Sequence, residues 1–302
     1  MTDTARISHI LSVLPEKIGA AVAAPLRSGA AIDEIRLRRG LPVTVTVSGK
    51  SLYLSENGHI SHFPENPIIC DGTALHETFL NLCDNSVFAH TKELEEGFVS
   101  VKGGFRAGVC GDFSDGALPD INSVNVRIAR EITGCAKKLY GAFCGGMLIA
   151  GPPGCGKTTV LRDLIRILSS GGKRICVIDS RREISGGAGE TGFDLGFNTD
   201  VIFTPDKARG VQMALRNMYP QIIAFDEVGT SDEIGGILEA FNSGVDILTT
   251  SHAGTLTELC ARPVTRALIG SGTLKTVALM PRTAGKEIEI HGIGDVLGEA
   301  SF

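Results

Sequence analysis

Hydrophobic positions recur first at helical and then at strand spacing along the start of the chain. Apolar residues repeat every three or four positions over 7–14 and stop at Pro15, which predicts a first helix. An alanine-rich run predicts a second helix that ends before Pro25. Segments 35–38 and 43–47 then alternate apolar with polar residues, which predicts half-buried strands.

The same kind of pattern continues up to the middle of the chain. Residues 73–96 return to helical spacing, and two alternating segments within 98–109 flank Gly103-Gly104, which predicts a β-hairpin. Residues 121–130 are predicted to lead from this region to the second half. We therefore predict a smaller α+β domain at residues 1–125.

From about residue 135, buried strand patterns alternate with helical patterns. The predicted strands are 147–150, 174–179, 222–225, 245–250, 274–279 and 287–290. Helices are predicted directly after the first of these strands and at 207–218, 231–243 and 255–269. Such alternation predicts an α/β domain at residues 126–302, with a mainly parallel sheet covered by helices on both faces.

Composition narrows the class of protein. The chain has 302 residues, 43% of them hydrophobic, and residues 1–125 carry a net charge of −5 while the remainder is neutral. An acidic front half disfavours a nucleic-acid partner, because phosphate binding needs a basic face. The eight cysteines form no C-x-x-C pair, which disfavours a zinc site or a disulfide framework. No leader or membrane-span pattern is present, so we expect a cytoplasmic protein that can dock on a membrane partner.

The strand at 147–150 runs directly into the sequence GPPGCGKTT, the G-x-x-x-x-G-K-[ST] pattern of a phosphate-binding loop. Lys157 is predicted to pair with the β- and γ-phosphates of ATP, and the Thr158 hydroxyl to ligate Mg²⁺. Guanine specificity is disfavoured because no N-K-x-D motif occurs. The predicted nucleotide-binding residues are Gly151, Pro152, Pro153, Gly154, Cys155, Gly156, Lys157, Thr158 and Thr159.

Acidic residues follow two of the predicted parallel strands, at the sheet edge where ligands bind. Asp226 and Glu227 end the strand at 222–225, so Asp226 is predicted to hold the Mg²⁺ shell and Glu227 to activate water. Glu183 follows another strand and is an alternative for water activation. His252 ends a third strand and is predicted to contact the γ-phosphate or the catalytic carboxylate.

An arginine from a neighbouring subunit is predicted to complete the site, because phosphoryl transfer develops charge that a guanidinium neutralises. No single arginine is favoured over the others by the sequence. The candidates are Arg106, Arg127, Arg130, Arg209 and Arg216.

With these motifs, the chain resembles the stage III sporulation protein AA family, P-loop ATPases related to the motors of type II and type IV secretion and of type IV pili. The resemblance is carried by EIRLRRGLPVTV, EEGFVSVKGGFRAGVCG, INSVNVRIARE, GPPGCGKTT, VIDSRREI, ALRNMYPQIIAFDEVG and TTSHAG. It implies a P-loop NTPase fold of the RecA/AAA-like kind. It also implies that Glu183 lies in an acidic box, His252 in a histidine box and Arg216 ahead of the Walker B strand.

The resemblance further implies a hexameric ATPase at a membrane channel between mother cell and forespore, with membrane-embedded sporulation proteins as partners. The secretion motors have Gly-Glu where this chain has Asp226-Glu227, so the choice between Glu183 and Glu227 as the water-activating residue stays open. Two other functions are also considered. One is a nucleic-acid-linked ATPase, and the other is a nucleotide-dependent scaffold with negligible turnover.

Overall fold

The computed structural model describes residues 3–101, 105–112, 120–128, 131–186, 192–227, 231–282 and 287–299. The chain divides into two compact units. One holds residues 1–130 and 186–192, and the other holds residues 131–185 and 193–302. The division after residue 130 lies beyond the predicted one after residue 125, because the last strand of the first unit continues to Arg127.

The first unit is built on an antiparallel sheet. Its elements are α1 (Asp3–Ser12), α2 (Glu16–Arg27), β1 (Ile32–Arg38), β2 (Leu41–Pro42), β3 (Thr44–Val47), β4 (Lys50–Leu54), β5 (Ile60–Ser61), β6 (Ile69–Cys70), α3 (Gly72–Leu82), α4 (Thr91–Glu95), β7 (Phe98–Val101), β8 (Phe105–Asp112) and β9 (Asp120–Arg127). Seven strands form the sheet in the order β5-β4-β3-β1-β9-β8-β7, and β2 pairs separately with β6. Ile35 and Leu37 of β1 and Val124 of β9 lie in the core of this unit, as their alternation with polar residues requires.

Three predictions for the first unit are corrected by the structure. Helix α2 continues past Pro25, since a proline near the end of a helix removes only one hydrogen bond of the ladder. The predicted helix at 73–96 is interrupted between α3 and α4, where Asp84 and Asn85 take φ values of 48° and 59°. Residues 121–130 are not simply a connection, because they contain most of β9, which lies between β1 and β8.

The predicted hairpin is formed by β7 and β8. Val101 pairs with Phe105 in an antiparallel register, and Gly103-Gly104 lie outside the described residues. Arg106 on β8 faces Arg127 of β9 across the ladder, and its guanidinium lies 3.7 Å from the centre of the Phe98 ring.

The second unit alternates strands and helices. Its elements are α5 (Lys137–Ala142), β10 (Met147–Ala150), α6 (Lys157–Ser170), β11 (Ile175–Ile178), β12 (Thr199–Ile202), α7 (Lys207–Asn217), β13 (Ile222–Phe225), α8 (Ser231–Asn242), β14 (Asp246–Ser251), α9 (Leu256–Ala261), α10 (Pro263–Gly270), β15 (Thr276–Leu279), β16 (Glu289–Gly292) and α11 (Ile293–Glu299). The sheet order is β12-β11-β13-β14-β10-β15-β16. The strands are parallel except for β16, which pairs antiparallel with β15.

Helices cover both faces of this sheet, which confirms the predicted α/β class. Along β10, Met147 and Ile149 join a core with α5 and α6, while Leu148 and Ala150 join a core with α7 to α11. A strand whose successive side chains are all buried has to be apolar throughout, and this explains why the bounds of β10 were predicted to the residue.

Other elements of the second unit differ from the prediction. Strand β12 was not predicted, because its Thr-Asp-Val-Ile sequence lies at the sheet edge and is only partly buried. Helices α5 and α11 were not predicted either. The predicted helix at 255–269 is two helices, since Pro263 begins a new one after Arg262 takes an extended conformation.

Candidate functional site

The loop between β10 and α6 has the backbone of an anion-binding turn. Gly154 and Gly156 take φ values of 74° and 92°, a region that residues with a Cβ avoid. None of the described side chains caps the start of α6 at Gly156, so its first N–H groups remain available to an anionic ligand. Gly151 is needed for space, because a Cβ there would lie 2.7 Å from the Cys155 Sγ and 2.9 Å from the Met280 Cβ.

Lys157 is the first residue of α6, and only 6% of it is exposed. Its Nζ donates hydrogen bonds to the carbonyl oxygens of Gly151 at 2.9 Å and Pro152 at 3.0 Å, and lies 2.9 Å from Nδ1 of His252. Burial lowers the pKa of Lys157, against an opposing effect of the neighbouring carboxylates. The ammonium group is thus held, largely desolvated, inside the glycine-rich loop.

Asp226 lies beside this loop at the carboxyl end of β13. Its Oδ2 accepts a hydrogen bond from Thr158 Oγ1 at 3.1 Å, and its Oδ1 accepts one from Thr250 Oγ1 at 2.6 Å. Hydroxyl and carboxylate oxygens are the ligands that Mg²⁺ prefers, and protein Mg²⁺ sites commonly use one or two carboxylates with substrate phosphates. The oxygen atoms of Thr158 and Asp226 therefore fit a Mg²⁺ ion bound with a nucleotide.

His252 connects Lys157 with Glu227. The Nε2 atom of His252 lies 3.3 Å from Oε2 of Glu227, while its Nδ1 faces the Lys157 ammonium. An ammonium has hydrogens to donate and no lone pair, so Nδ1 acts as the acceptor and Nε2 carries the ring hydrogen toward the carboxylate. His252 therefore bridges the lysine and the glutamate.

Glu183 lies in the turn after β11, also at the carboxyl edge of the sheet. Its N–H donates to Oδ1 of Asp179 at 3.1 Å, and its carbonyl oxygen accepts from Arg162 Nη2 at 2.8 Å. Asp179 also accepts both the N–H and the hydroxyl of Ser185. The backbone of Glu183 is therefore well held, but the measured contact with His252 belongs to Glu227 and not to Glu183.

The candidate arginines are widely distributed. Arg216 is exposed in the last turn of α7. Because α7 joins the parallel strands β12 and β13, it ends at the amino edge of the sheet, opposite the loop between β10 and α6. Arg209 is exposed in the first turn of α7, at the carboxyl edge. Arg106 and Arg127 belong to the first unit, and Arg130 lies outside the described residues. Arg216 therefore lies at the edge of the sheet away from Lys157 and Asp226 of the same chain.

A cleft of about 460 Å³ opens next to the loop, within the range of ordinary ligand pockets. Pro152 and Pro153 line one side, and His252 and Met280 line others.

Thr159 lies on the α6 side of the loop, where its carbonyl oxygen accepts a long 3.9 Å contact from the Cys135 thiol. Of the predicted site residues, the contacts described above bring together five: Lys157, Thr158, Asp226, Glu227 and His252.

Two residues at the site were not predicted from the sequence. Thr250 contacts Asp226 and also accepts the N–H of Glu227 at 3.2 Å. Lys207, in the first turn of α7, donates a hydrogen bond to the carbonyl oxygen of Glu227. Thr250 lies two residues before His252, so the polar end of that strand was the available signal, whereas nothing in the local pattern distinguishes Lys207.

The comparison with known families matches nearly the whole chain. The profile of the family described as "Sporulation stage III, protein AA" covers residues 4–300. The chain belongs to the sporulation stage III protein AA family. The stage III sporulation protein AA of Bacillus subtilis (strain 168) is 32% identical over 278 residues, which are 87% of each protein. The family resemblance inferred from the sequence motifs is confirmed.

Solved structures support the fold of this family member. The Yersinia pseudotuberculosis ATPase DotB aligns with a TM-score of 0.63 at 15% identity over 96% of this chain and 86% of DotB. The pilus retraction motor PilT, solved with bound ADP, aligns with a TM-score of 0.56 at 18% identity over 86% of this chain and 83% of PilT. At these identities the likeness establishes an ATPase-type fold.

In the part of the chain that the structure describes, no helix is both long and apolar enough to cross a bilayer.

Proposed function

We propose that this chain is a Mg²⁺-dependent ATPase that works as a motor of the secretion-ATPase type. The observation that carries the proposal is one set of contacts at the start of α6. Lys157 contacts His252, His252 contacts Glu227, and Thr158 contacts Asp226. These are the groups that phosphoryl transfer requires, namely a cation for the phosphates, oxygen ligands for a metal ion and a base for water.

Lys157 supplies positive charge at the position of the phosphates. Two of its hydrogen-bond acceptors are uncharged carbonyl groups, which compensate only part of the cost of burying an ammonium. The β- and γ-phosphate oxygens of ATP carry the opposite charge and therefore suit this position better. The N–H groups at the start of α6 add a partial positive charge on the same side.

Glu227 is the proposed base for the attacking water. Its carboxylate takes a proton from the water as the water oxygen attacks the γ-phosphorus, and the bond to the bridging oxygen breaks with the electron pair leaving on ADP. His252 orients the carboxylate through Nε2. Thr158 and Asp226 would hold Mg²⁺, which neutralises charge on the phosphate oxygens. Glu183 is the alternative base.

We propose a biological role on the basis of family membership. The protein would assemble as a hexamer with an arginine acting in trans and would power assembly of, or transport through, a channel between mother cell and forespore. Membrane-embedded sporulation proteins would be its partners. The fold likeness to the ATPase DotB and to the pilus retraction motor PilT supports a motor function.

ATP binding and turnover of the full chain test this function. We expect calorimetry to detect ATP binding at millimolar Mg²⁺, with Lys157→Ala removing it. Glu227→Gln should keep binding and lower kcat by about 10²- to 10⁴-fold, the usual contribution of a general base, while Glu183→Gln lowers it less than tenfold. Folded protein that takes up no ATP would exclude the ATPase, and ATP binding with negligible turnover in the wild type, no faster than in Glu227→Gln, would favour the scaffold.

A further inference from the structure

The backbone of Glu227 is held on both sides of its Cα by side chains from other elements. Its N–H donates to Thr250 Oγ1 at 3.2 Å, and its carbonyl oxygen accepts from Lys207 Nζ. We propose that Lys207 and Thr250 are positioning residues that clamp the backbone of Glu227 and so aim its carboxylate at the attacking water. This inference rests on the proposed ATPase function and adds two residues that act through Glu227.

Glu227 needs such support because packing does not hold its side chain. The side chain is 38% exposed, and its measured partner His252 is equally exposed. A carboxylate at the end of a strand can take several rotamers, so its direction depends on how well its own backbone is fixed. Two hydrogen bonds to the same residue, one of them charge-assisted, restrict that backbone.

The two halves of the clamp come from a strand and a helix. Thr250 lies on β14, where its neighbour Thr249 is in register with Phe225 of β13, so Thr250 lies opposite Asp226. Thr250 is 1% exposed and also donates to Oδ1 of Asp226. Thr250 therefore links the candidate metal ligand to the candidate base. Lys207 reaches the backbone carbonyl of the same residue from the start of α7.

The adjacent residue Thr249 carries a hydroxyl that takes no part in the clamp. Thr249 is fully buried, and its Oγ1 has no hydrogen-bond partner among the described residues. Replacing Thr249 by valine keeps its shape and removes an unsatisfied polar atom, which is neutral or stabilising. Thr249→Val is thus a matched control for Thr250→Val, with the same change one position away.

Steady-state kinetics of the full chain test the clamp. We expect Thr250→Val and Lys207→Met to lower kcat by about 10- to 100-fold, as the loss of supporting contacts typically does. KM for ATP and the Kd of MgADP should change less than about threefold, because neither residue is proposed to bind phosphate. Thr249→Val should match the wild type. Thr250→Ser, which keeps the hydroxyl that accepts the Glu227 N–H, and Lys207→Arg, which keeps a donor, should recover most of the lost rate.

Several outcomes would overturn the clamp. A wild-type kcat in Thr250→Val and Lys207→Met, or a loss of MgADP binding in parallel with kcat, contradicts a positioning role. A shifted acid limb of the pH–rate profile in Lys207→Met would mean that Lys207 acts by its charge on the carboxylate and not by its hold on the backbone. If Glu227→Gln is inactive while Thr250→Val and Lys207→Met keep their activity, only this inference fails. Full turnover in Glu227→Gln overturns the assignment of Glu227 as the base, and the clamp with it.

Discussion

At the scale of single residues, Asp163 shows how a buried charge is made compatible with the core. It is 3% exposed on α6 and accepts hydrogen bonds from the N–H of Ala136 at 2.8 Å and from Arg166 Nη2 at 2.7 Å. Burial raises the pKa of Asp163. The hydrogen bonds from Ala136 and Arg166 lower it, and together they outweigh burial, so the pKa lies below its ordinary value of 3.8. Asp163 thus links the start of the second unit, at Ala136, to helix α6.

Replacing Asp163 by asparagine should destabilise the protein in a pH-dependent way. A depressed carboxyl pKa adds stability that is present above the unfolded-state pKa and is lost as pH falls through the folded-state value. We expect Asp163→Asn to lower the free energy of unfolding by about 1 to 3 kcal/mol at pH 7. Urea unfolding from pH 7 downward should show the two proteins converging below about pH 4. A constant difference across that range would contradict an ionic role.

At the scale of elements, the packing of α8 against α7 depends on one small residue. Gly236 is buried, and a Cβ there would lie 3.0 Å from the Cα of Ala208 on α7. Its neighbour Gly235 is exposed, and a Cβ there would meet nothing within 4 Å. The two adjacent glycines therefore have different reasons to be present. Gly236 allows α7 and α8 to approach each other, whereas Gly235 makes no such contact and only makes the helix less stable than alanine would.

The two alanine variants are predicted to move stability in opposite directions. Gly235→Ala should raise the free energy of unfolding by about 0.5 to 1 kcal/mol, because alanine has the lower entropy cost in a helix. Gly236→Ala should lower it by about 1 to 3 kcal/mol, since the added Cβ presses on the backbone of α7 at Ala208 and the two helices have to move apart. Thermal or urea unfolding of both variants checks this. Equal shifts of the same sign would mean that α7 and α8 are not packed this closely.

At the scale of the whole molecule, the two units have separate hydrophobic cores. The candidate nucleotide site is built within the second unit, from loops at the carboxyl ends of β10, β13 and β14. Arg216 lies at the opposite edge of that sheet, and Arg106 belongs to the other unit. An arginine contribution from Arg216 therefore requires a second copy of the chain, which is the arrangement that closed rings provide.

Mixing two inactive variants tests that sharing. Protein carrying Arg216→Ala keeps Glu227, and protein carrying Glu227→Gln keeps the arginine, so a mixed assembly contains sites with both groups. We expect the mixture to hydrolyse ATP faster than either variant alone, with the rate rising with protein concentration. A mixture of Lys157→Ala with Glu227→Gln serves as the control for damage that is not shared between subunits. No gain with either Arg216→Ala or Arg106→Ala at any concentration argues against Arg216 and Arg106 as shared arginines.

The amino-acid sequence by itself determined the parts of the protein that depend on neighbours in the chain. The bounds of β10 and β13 were predicted to the residue, because a strand buried on both faces has to be continuously apolar. The glycine-rich turn between β10 and α6 and the position of Asp226-Glu227 at the end of β13 were also read from the sequence, since a glycine pattern and a strand end are local features; their roles in phosphate and metal binding stay predictions. Edge strand β12 and the breaks in two predicted helices were missed, because partial burial and single turns leave a weak periodic signal.

Only the tertiary structure decided which residues from distant segments meet. The order of strands places β14 between β10 and β13, and this brings Thr250 to Asp226 and His252 between Lys157 and Glu227. The direction of α7 brings Lys207 to the site and carries Arg216 away from it. Strand order and helix direction follow from packing between segments far apart in sequence, which no local pattern encodes.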